Sequence, residues 1–263
     1  GLAILAVVVF VALAAPILYP GSPWQGVAEP LLPPFEDPAY PLGTDLLGRD
    51  IAAGIAYGAR VSLLIGIIST AVAVVIGVAI GALAGFYGGR VDDMLMRFTE
   101  FFQTIPAFAM AVVLVAIFSP NITSITLAIA VVSWPPVARL VRGEFLSLRS
   151  REFVQAAVVV GQTGPRIMAT QILPNAISPI IVTASLMVAT AILTESSLSF
   201  LGLGDRNMMS WGFMIGAART MLREAWWLSV FPGLAILITV LAINLIGEGL
   251  NDAMNPHLRG RKG

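Results

Sequence analysis

The sequence predicts an all-α, polytopic membrane protein with six transmembrane helices. Of its 263 residues, 57% are hydrophobic and 11% are charged, whereas soluble domains carry about 25% charged residues. The mean hydropathy is +0.89. Several uncharged runs reach about 20 residues, the length at which a helix crosses the hydrocarbon core of a bilayer. The chain begins within such a run at Gly1, which we interpret as a truncated first helix rather than a cleaved signal peptide.

Polar segments and turn signals separate the six predicted spans. The uncharged run over residues 101–138 is too long for one span, and the Ser119-Pro120-Asn121 turn signal divides it into two. The spans are predicted at residues 2–19, 61–87, 101–118, 122–138, 175–194 and 225–247.

The basic residues favour one orientation in the membrane. With the N-terminus inside, ten Arg and Lys residues lie on inside segments and five on outside segments, as expected for an excess of positive charge in the cytoplasm. The inside set is Arg90, Arg97, Arg139, Arg142, Arg149, Arg151, Arg166, Arg259, Arg261 and Lys262. The outside set is Arg49, Arg60, Arg206, Arg219 and Arg223. Both termini are therefore predicted to be cytoplasmic.

The outside segment after the first span is rich in proline. Residues 20–41 contain seven prolines, which prevent a regular helix or a central strand. A short surface helix capped by Thr44 or Asp45 is predicted to follow and to lead into the second span. Near the last span, Trp226 and Trp227 are interpreted as anchors at the membrane interface.

The second span carries a stripe of small residues at steps of three or four. The stripe consists of Ser62, Gly66, Ser69, Ala73, Gly77, Gly81 and Gly85. In lipid, such stripes let helix backbones approach each other closely. The stripe either packs within the chain or forms the seam with a second subunit, and the sequence leaves both open.

Common catalytic and metal-binding motifs are absent from the sequence. There is no Cys and one His, His257, which excludes thiol chemistry, thiolate metal sites and an H-E-x-x-H zinc site. The one Lys, Lys262, is followed only by Gly263, so the sequence has no G-x-x-x-x-G-K-[ST] phosphate loop. The chain is therefore predicted to be a non-catalytic subunit, with no metal site and no cofactor of its own.

Glu195 is an acidic residue at the outer end of the fifth predicted span. Charged groups in a membrane are costly and often functional, so Glu195 is a candidate for a residue that lines a polar pathway. In the structural interpretation, nearby hydroxyls, backbone groups or Arg206 bind its carboxylate instead. The neighbouring hydroxyls belong to Thr194, Ser196 and Ser197.

Residues 139–175 form a polar inside segment that predicts a short helix, a turn and a second helix. Gly161 permits the positive φ that ends a helix, and Pro174 is predicted to stop the second helix before the fifth span. The first helix has an apolar face that includes Phe153 and Val160. Apolar side chains exposed outside the bilayer indicate a partner site.

Motifs along most of the chain resemble one family. They are 42-LGTDLLGRD-50, 57-YGARVSLLIG-66, 85-GFYGGRVDDMLMR-97, 140-LVRGEFLSLRSREFVQAA-157, 171-QILPN-175, 195-ESSLSFLGLG-204 and 247-GEGLNDAMNP-256. In addition, Gln155-Ala156-Ala157 is followed by Gly161 and then by Leu173-Pro174, a pattern that resembles the EAA loop of ABC importer permeases. Over residues 40–256 the chain resembles the C-type permease of the dipeptide/oligopeptide/nickel importers.

This resemblance implies a type I ABC importer permease architecture in a prokaryotic inner membrane. It also implies that a loop at about residues 143–174 couples the chain to a cytoplasmic ATPase. The expected coupling residues are Glu152, Gln155, Ala156, Ala157, Gly161, Leu173 and Pro174. Two positions depart from the family pattern, since Gln155 stands where the motif has Glu and Gln171 where it often has Ile. Glu152 is a candidate for the missing acidic contact.

The resemblance also implies a set of partners and a cargo. The expected partners are a homologous B-type permease, two ATPase subunits that bind ATP and Mg²⁺, an extracytoplasmic substrate-binding protein and membrane lipid. Di- or oligopeptide is the expected cargo, with nickel or another small solute as the alternative. From other classes, an ion-coupled secondary carrier predicts paired charges and internal repeats that the sequence does not show convincingly. A membrane-embedded enzyme lacks its motifs, and a purely structural partner is weakly disfavoured by the ordered loop.

The sequence thus divides into four parts. They are a first transmembrane helix at 1–20, an extracytoplasmic Pro-rich segment with a short helix at 21–58, a permease core at 59–256, and a cytoplasmic tail at 257–263.

Overall fold

The computed structural model describes residues 1–254, so the predicted tail at 257–263 lies outside the described residues. Within them the chain forms ten α-helices and two π-helical turns, with isolated β-bridges but no strand. The α-helices are α1 (Leu2–Leu18), α2 (Ile51–Tyr87), α3 (Gly89–Thr104), α4 (Ala107–Phe118), α5 (Ile122–Arg149), α6 (Glu152–Val159), α7 (Gly164–Ile167), α8 (Leu173–Leu198), α9 (Trp211–Ala218) and α10 (Trp227–Met254). The first π-turn is Met168–Ile172 and the second is Ser199–Leu203.

The chain passes between two ends of a helix bundle in α1, α2, α4, α5, α8 and α10. The end that carries residues 20–50 and α9 is termed the Pro-rich end. There the indole N–H of Trp227 donates to the carbonyl of Thr44 at 3.2 Å. The opposite end carries α3, α6 and α7 and is termed the α6 end. There Nη1 of Arg149 donates to the carbonyl of Phe86 at 2.8 Å.

Four helical segments within the described residues are long and apolar enough to cross a membrane. They are α2, α5, the path from α7 to the second π-turn, and α10. Helices α3 and α4, bent by 81° to one another, make a fifth if they count as one span. The first predicted span is the apolar helix α1, which has 17 residues. The all-α polytopic architecture is confirmed, as is the division at Ser119-Pro120-Asn121, whereas length and composition support four or five spans rather than six.

Helix α3 lies across α5 rather than along it. Asp92 and Gln103 lie eleven residues apart on α3, yet they bond to Arg142 and Arg139, three residues apart on α5. At 1.5 Å per residue, α3 advances about 16 Å along its own axis and about 5 Å along that of α5. Because α3 runs across the bundle, it carries the chain only a short way from the α6 end toward the Pro-rich end. Helix α4 then covers the remaining distance in 12 residues.

Helix α2 is central and packs most extensively along α5, next along α8 and then along α1. The small-residue stripe of α2 is buried in these contacts. A methyl group on Gly77 would lie 2.5 Å from Cβ of Val137, and one on Gly85 would lie 2.6 Å from Cβ of Phe145. Gly81 likewise faces α5. The described chain therefore uses the stripe for packing between its own helices, the first of the two interpretations that the sequence left open.

The predicted short helix before α2 is wrong. The helix that follows the Pro-rich segment is α2 itself, which runs unbroken for 37 residues, and its N-cap is Asp50 rather than Thr44 or Asp45. The Asp50 carboxylate accepts a hydrogen bond from the N–H of Ala52 at 2.9 Å. Partial burial raises the pKa of the Asp50 carboxyl above its usual range, although bonds from the N–H groups of Ala52 and Ala53 oppose the rise. Two left-handed glycines before the cap turn the chain and delay the start of the helix.

Polar contacts hold the Pro-rich segment together over residues 24–49. The buried Thr44 hydroxyl donates to the carbonyl of Glu29 at 2.5 Å. Asp45 binds Nε of Arg49 at 2.6 Å, and the Arg49 guanidinium stacks over the ring of Trp24 at 5.2 Å. These bonds replace helical hydrogen bonds in a stretch where proline forbids them.

Candidate functional site

Helix α6 is anchored to the bundle on one side. Its inward-facing side chains are Val154, which is 2% exposed, and Ala157, which is 7% exposed. They pack in one apolar cluster with Phe145 of α5, Ile167 of α7 and Ile172 of the first π-turn. Three separate elements therefore hold α6 in place through apolar contact.

The opposite side of α6 exposes apolar side chains. Phe153 is 40% exposed, Val158 53%, Val159 87% and Val160 79%, and these four residues are termed the apolar tip. Ala156 lies on the same exposed side. The sequence indicated Phe153 and Val160 but Val158 and Val159 were missed. Successive helical residues point about 100° apart, so three valines in a row cannot all be buried against one surface. The run of three valines in the sequence was therefore a signal that could have identified Val158 and Val159.

Gly161 ends α6 in a left-handed conformation with φ 81°. Its N–H donates to the carbonyl of Val158 at 2.9 Å, and the N–H of Gln162 donates to that of Ala157 at 3.1 Å, as at helix ends capped by glycine. The predicted positive φ is therefore confirmed. A methyl group at Gly161 would have no other atom within 4 Å. Glycine is therefore favoured at this position by the positive φ and not by a lack of room for a side chain.

The two polar residues of α6 have different surroundings. Nε2 of Gln155 donates to the carbonyl of Arg149 at 3.2 Å, which ties α6 to the end of α5. A Glu at this position could not donate that bond. Glu152 lies exposed in the first turn of α6, where its negative charge suits the helix dipole. Among residues 1–254, Glu152 forms no ion pair.

Pro174 does not stop a helix, contrary to the prediction. Helix α7, the first π-turn and α8 form one helical path, in which the N–H of Leu173 donates to the carbonyl of Met168, five residues earlier. Pro174 falls in the first turn of α8, where its missing N–H is least costly. The amide of Asn175 donates to the carbonyl of Gln171 at 2.7 Å. Leu173 is half-buried against the α6 cluster, and Pro174 is exposed.

Glu195 lies at the Pro-rich end of α8 and is 1% exposed. Its Oε1 accepts hydrogen bonds from the hydroxyls of Ser199 at 2.8 Å and Ser210 at 2.7 Å. The Ser210 hydroxyl also accepts the N–H of Phe213 at 3.0 Å and so caps α9. Arg206 is not among the described partners of Glu195. The hydroxyl contacts of the structural interpretation are present, and they join α8, the second π-turn and α9.

Tryptophans fix the outer segments to the bundle. The backbone N–H of Trp211 donates to the hydroxyl of Ser62 at 3.2 Å, and its indole N–H donates to the carbonyl of Ile55 at 2.9 Å. Trp227 is buried beneath the Pro-rich segment, whereas Trp226 is half exposed. The interpretation of Trp227 as an interfacial anchor is therefore wrong, because its ring fills the bundle interior.

The acidic residues are dispersed over the described chain. In residues 1–254, no three His, Cys, Asp or Glu side chains come together in a way that could hold a metal ion. The ion pairs in that range are Asp45–Arg49, within the Pro-rich segment, and Asp92–Arg142, which joins α3 to α5. The features that remain are an exposed apolar tip at the α6 end and a buried polar cluster around Glu195 at the Pro-rich end.

Comparison with known sequences identifies the family of the chain. Residues 77–260 match the family described as "Binding-protein-dependent transport system inner membrane component". The di/tripeptide transport system permease protein DppC of Pseudomonas aeruginosa (strain UCBPP-PA14) is 39% identical over 265 residues, which cover 98% of this chain and 88% of that protein. The oligopeptide transport system permease protein OppC of Haemophilus influenzae (strain ATCC 51907 / DSM 11121 / KW20 / Rd) is 38% identical, with 95% and 81% covered.

Solved structures share the fold at lower identity. A chain of the MetNI methionine ABC transporter in an inward-facing conformation matches with a TM-score of 0.65 and 17% identity, over 77% of this chain and 96% of that one. A chain of an amino acid ABC transporter matches with a TM-score of 0.58 and 14% identity, over 76% and 94%. The predicted ABC importer permease architecture is thereby confirmed. The chain belongs to the inner-membrane components of binding-protein-dependent transport systems, among the C-type permeases of the peptide ABC importers.

Proposed function

We propose that the chain forms half of the translocation pathway of an ATP-driven importer of di- and oligopeptides. Support for this cargo comes from the relatives, which are described as permeases of di/tripeptide and oligopeptide transport systems. In this proposal the chain itself is non-catalytic, and two separate ATPase subunits bind ATP and Mg²⁺. A homologous B-type permease forms the other half of the pathway, and an extracytoplasmic binding protein delivers the peptide.

The exposed apolar tip of α6 is the observation that carries the proposal. A short helix that buries Val154 and Ala157 but exposes Val158 and Val159 has the form of an element that docks into a groove of another protein. In the proposal, that groove belongs to the ATPase. Glu152, Gln155, Ala156 and the Gly161 turn surround the contact.

The anchors of α6 supply a route for transmission. The α6 cluster includes Phe145 at the end of α5 and Ile172 in the path that continues into α8. Packed interiors transmit displacement because they contain little free space. A movement of the ATPase groove therefore displaces α5 and α8 together, which in this proposal changes the side from which the pathway is open.

The proposed orientation places the α6 end in the cytoplasm. Seven basic residues of the predicted inside set lie between positions 90 and 166, within elements that meet at the α6 end. The five of the outside set belong to the other half of the bundle. Gly1 lies beside Ala242 and Ile246 of α10, on the side away from the Pro-rich segment. In this orientation both termini are cytoplasmic.

Replacement of Gly161 by Val tests the coupling role. A β-branched residue is strained at φ 81°, and strain of about 1–3 kcal/mol is enough to change the turn that follows α6. The complex of this chain, its partner permease, the ATPases and the binding protein is reconstituted in vesicles. We expect the complex to assemble, peptide uptake to fall by roughly tenfold or more, and ATP hydrolysis to stop responding to loaded binding protein.

Gly89→Val is the matched control. Gly89 also has a positive φ, of 53°, and also has open space around its Cβ position, but it begins α3 rather than ending α6. The control should show a similar loss of stability with normal stimulation of ATP hydrolysis. Normal uptake and normal stimulation in Gly161→Val would show that the α6 turn does not transmit the ATPase movement.

A further inference from the structure

An open cleft lies at the Pro-rich end, between the second π-turn and α9. Its volume is about 320 Å³, which is within the range of small-ligand sites. The residues that line it include Ser199, Gly202, Arg206, Gly216, Arg219 and Thr220. The cleft is distinct from the apolar tip, which lies at the opposite end of the bundle.

Close backbone approach builds the cleft. A methyl group on Gly216 would lie 2.5 Å from the carbonyl oxygen of Ser199, and one on Gly204 would lie 2.6 Å from the Ser199 hydroxyl. Gly202 interrupts the second π-turn with φ 86°. These contacts hold α9 directly against the turn. The Ser199 hydroxyl is in turn fixed by its bond to Glu195, so the wall of the cleft rests on the buried polar cluster.

Arg219 is positioned over this wall. Its Nη1 donates to the carbonyl of Phe200 at 3.3 Å and lies 3.5 Å from the Cβ position of Gly202. A guanidinium carries five N–H donors in a planar fork, and the bond to Phe200 uses one of them. Arg219 is therefore oriented by the backbone while the other donors stay available. Arg206 lines the same cleft and is exposed.

The nearby carboxylates are already engaged. Asp205 accepts the N–H of Ile122 at 2.9 Å with one oxygen and that of Asn207 at 2.9 Å with the other. Glu195 accepts two serine hydroxyls. Within residues 1–254, neither Arg206 nor Arg219 has an ion-pair partner. The cleft therefore carries two positive charges that are balanced by no acid lining it.

We propose that this cleft is a carboxylate-binding site for the C-terminus of the transported peptide. The inference rests on the proposed peptide function and adds a recognition element to it. A guanidinium fork matches the two oxygens of a carboxylate, and Thr220 adds a hydroxyl at the rim. The volume accommodates one terminal residue with its carboxylate but not a folded protein surface. A peptide that the binding protein releases at the Pro-rich end is thus held by its C-terminal carboxylate, and the cleft does not recognise its side chains.

The test uses the assembled permease–ATPase complex in lipid nanodiscs, without binding protein. Saturation-transfer NMR measures the affinity for the dipeptide Ala-Ala and for its C-terminal amide. We expect Ala-Ala to bind and the amide to bind at least roughly tenfold more weakly, since charge-assisted bonds are about twice as strong as neutral ones. Arg219→Gln and Arg206→Gln should each weaken Ala-Ala binding while leaving amide binding unchanged. Arg219→Lys should recover part of the affinity, because the charge remains but the fork does not.

Arg223→Gln is the matched control, since Arg223 is exposed in the same loop but does not line the cleft. It should bind both ligands as the unmodified complex does. Equal binding of Ala-Ala and the amide, or Ala-Ala binding unaffected in Arg219→Gln, overturns the inference. Failure of Arg219→Gln to assemble, judged by size exclusion, also overturns it, because the arginine would then serve subunit contact.

Two parallel measurements separate this inference from the proposed function. If the complete importer shows no ATP-dependent uptake of Ala-Ala, the proposed function fails. If uptake is normal but no Ala-Ala binding is detected without binding protein, the cleft inference alone fails. If Arg219→Gln instead weakens the affinity for the binding protein, with and without peptide, the cleft is a protein contact and the inference is overturned.

Discussion

The two ends of the bundle differ in how their side chains are covered. At the Pro-rich end, buried polar side chains such as Thr44 and Glu195 have hydrogen-bond partners within the chain, and Trp227 is covered. At the α6 end, Val159 and Val160 are 87% and 79% exposed. Buried polar contacts within the chain therefore hold the Pro-rich end, whereas a run of exposed valines marks the α6 end.

This difference assigns a different physical role to each end. Buried hydrogen bonds are costly to break singly, so they hold the Pro-rich end in one arrangement. Exposed apolar side chains add little to the stability of the chain alone. They contribute favourable free energy only when association with another surface buries them. Substitutions at the Pro-rich end should change stability most, and substitutions at the apolar tip should change binding most.

The largest effect on stability is expected from Glu195→Ala. The change removes the acceptor of two buried serine hydroxyls and leaves a cavity, so the free energy of unfolding should fall by about 3–5 kcal/mol. Glu195→Gln keeps an acceptor oxygen and should lose less. Thermal unfolding of the purified chain in detergent, with hydrogen exchange at α9, measures both. Equal stability of the Ala, Gln and unmodified chains would show that the Pro-rich end is not held by this cluster.

An intermediate effect is expected from Gly85→Ala at the base of the α6 end. The added methyl group would lie 2.6 Å from Cβ of Phe145 and 2.7 Å from the carbonyl oxygen of Arg142, so overpacking should cost about 1–3 kcal/mol. Gly143→Ala is the matched change on α5, since nothing lies within 4 Å of its Cβ position. Gly143→Ala should stabilise the chain by about 0.5–1 kcal/mol. Denaturation in detergent compares the two, and changes of the same sign would contradict the close packing of α2 on α5.

The smallest effect on stability is expected from Val159→Ser. The side chain is 87% exposed, so the free energy of unfolding should change by less than about 0.5 kcal/mol. If the apolar tip docks on the ATPase, the affinity for that subunit should nevertheless fall severalfold. Val154→Ser, at a 2% exposed position on the same helix, should show the reverse order of effects. Binding of purified ATPase to nanodiscs, measured beside unfolding, decides whether the exposed and buried sides of α6 have these different roles.

Hydropathy and turn signals were sufficient to predict the apolar helices α1, α2, α5, α8 and α10 and the division between α4 and α5, but not the 81° bend between α3 and α4 within the predicted span at 101–118. They could not predict the N-cap at Asp50, because the bonds that fold the Pro-rich segment join residues distant in sequence. The Trp227 indole, for example, bonds the Thr44 carbonyl 183 positions away. The prediction that Pro174 stops a helix was wrong because the π-turn before it forms a backbone hydrogen bond across five residues, and the helical path continues through Pro174 into α8. The hydroxyls next to Glu195 could be read from the sequence, but Ser210, fifteen positions away, could not.

One consequence follows from the helical path that begins at Gly164 and ends at Leu203. Up to Gly202, whose φ of 86° interrupts the helix, its residues correspond to a lever of about 55 Å at 1.5 Å per residue. One tip of this lever packs against α6, and the other carries the Phe200 carbonyl that orients Arg219. A tilt of about 10° moves the far tip of such a lever by about 10 Å. If α6 docks on the ATPase and the cleft holds the peptide carboxylate, as proposed, one continuous helical path links the two sites, and a displacement at one of them changes the position of the other.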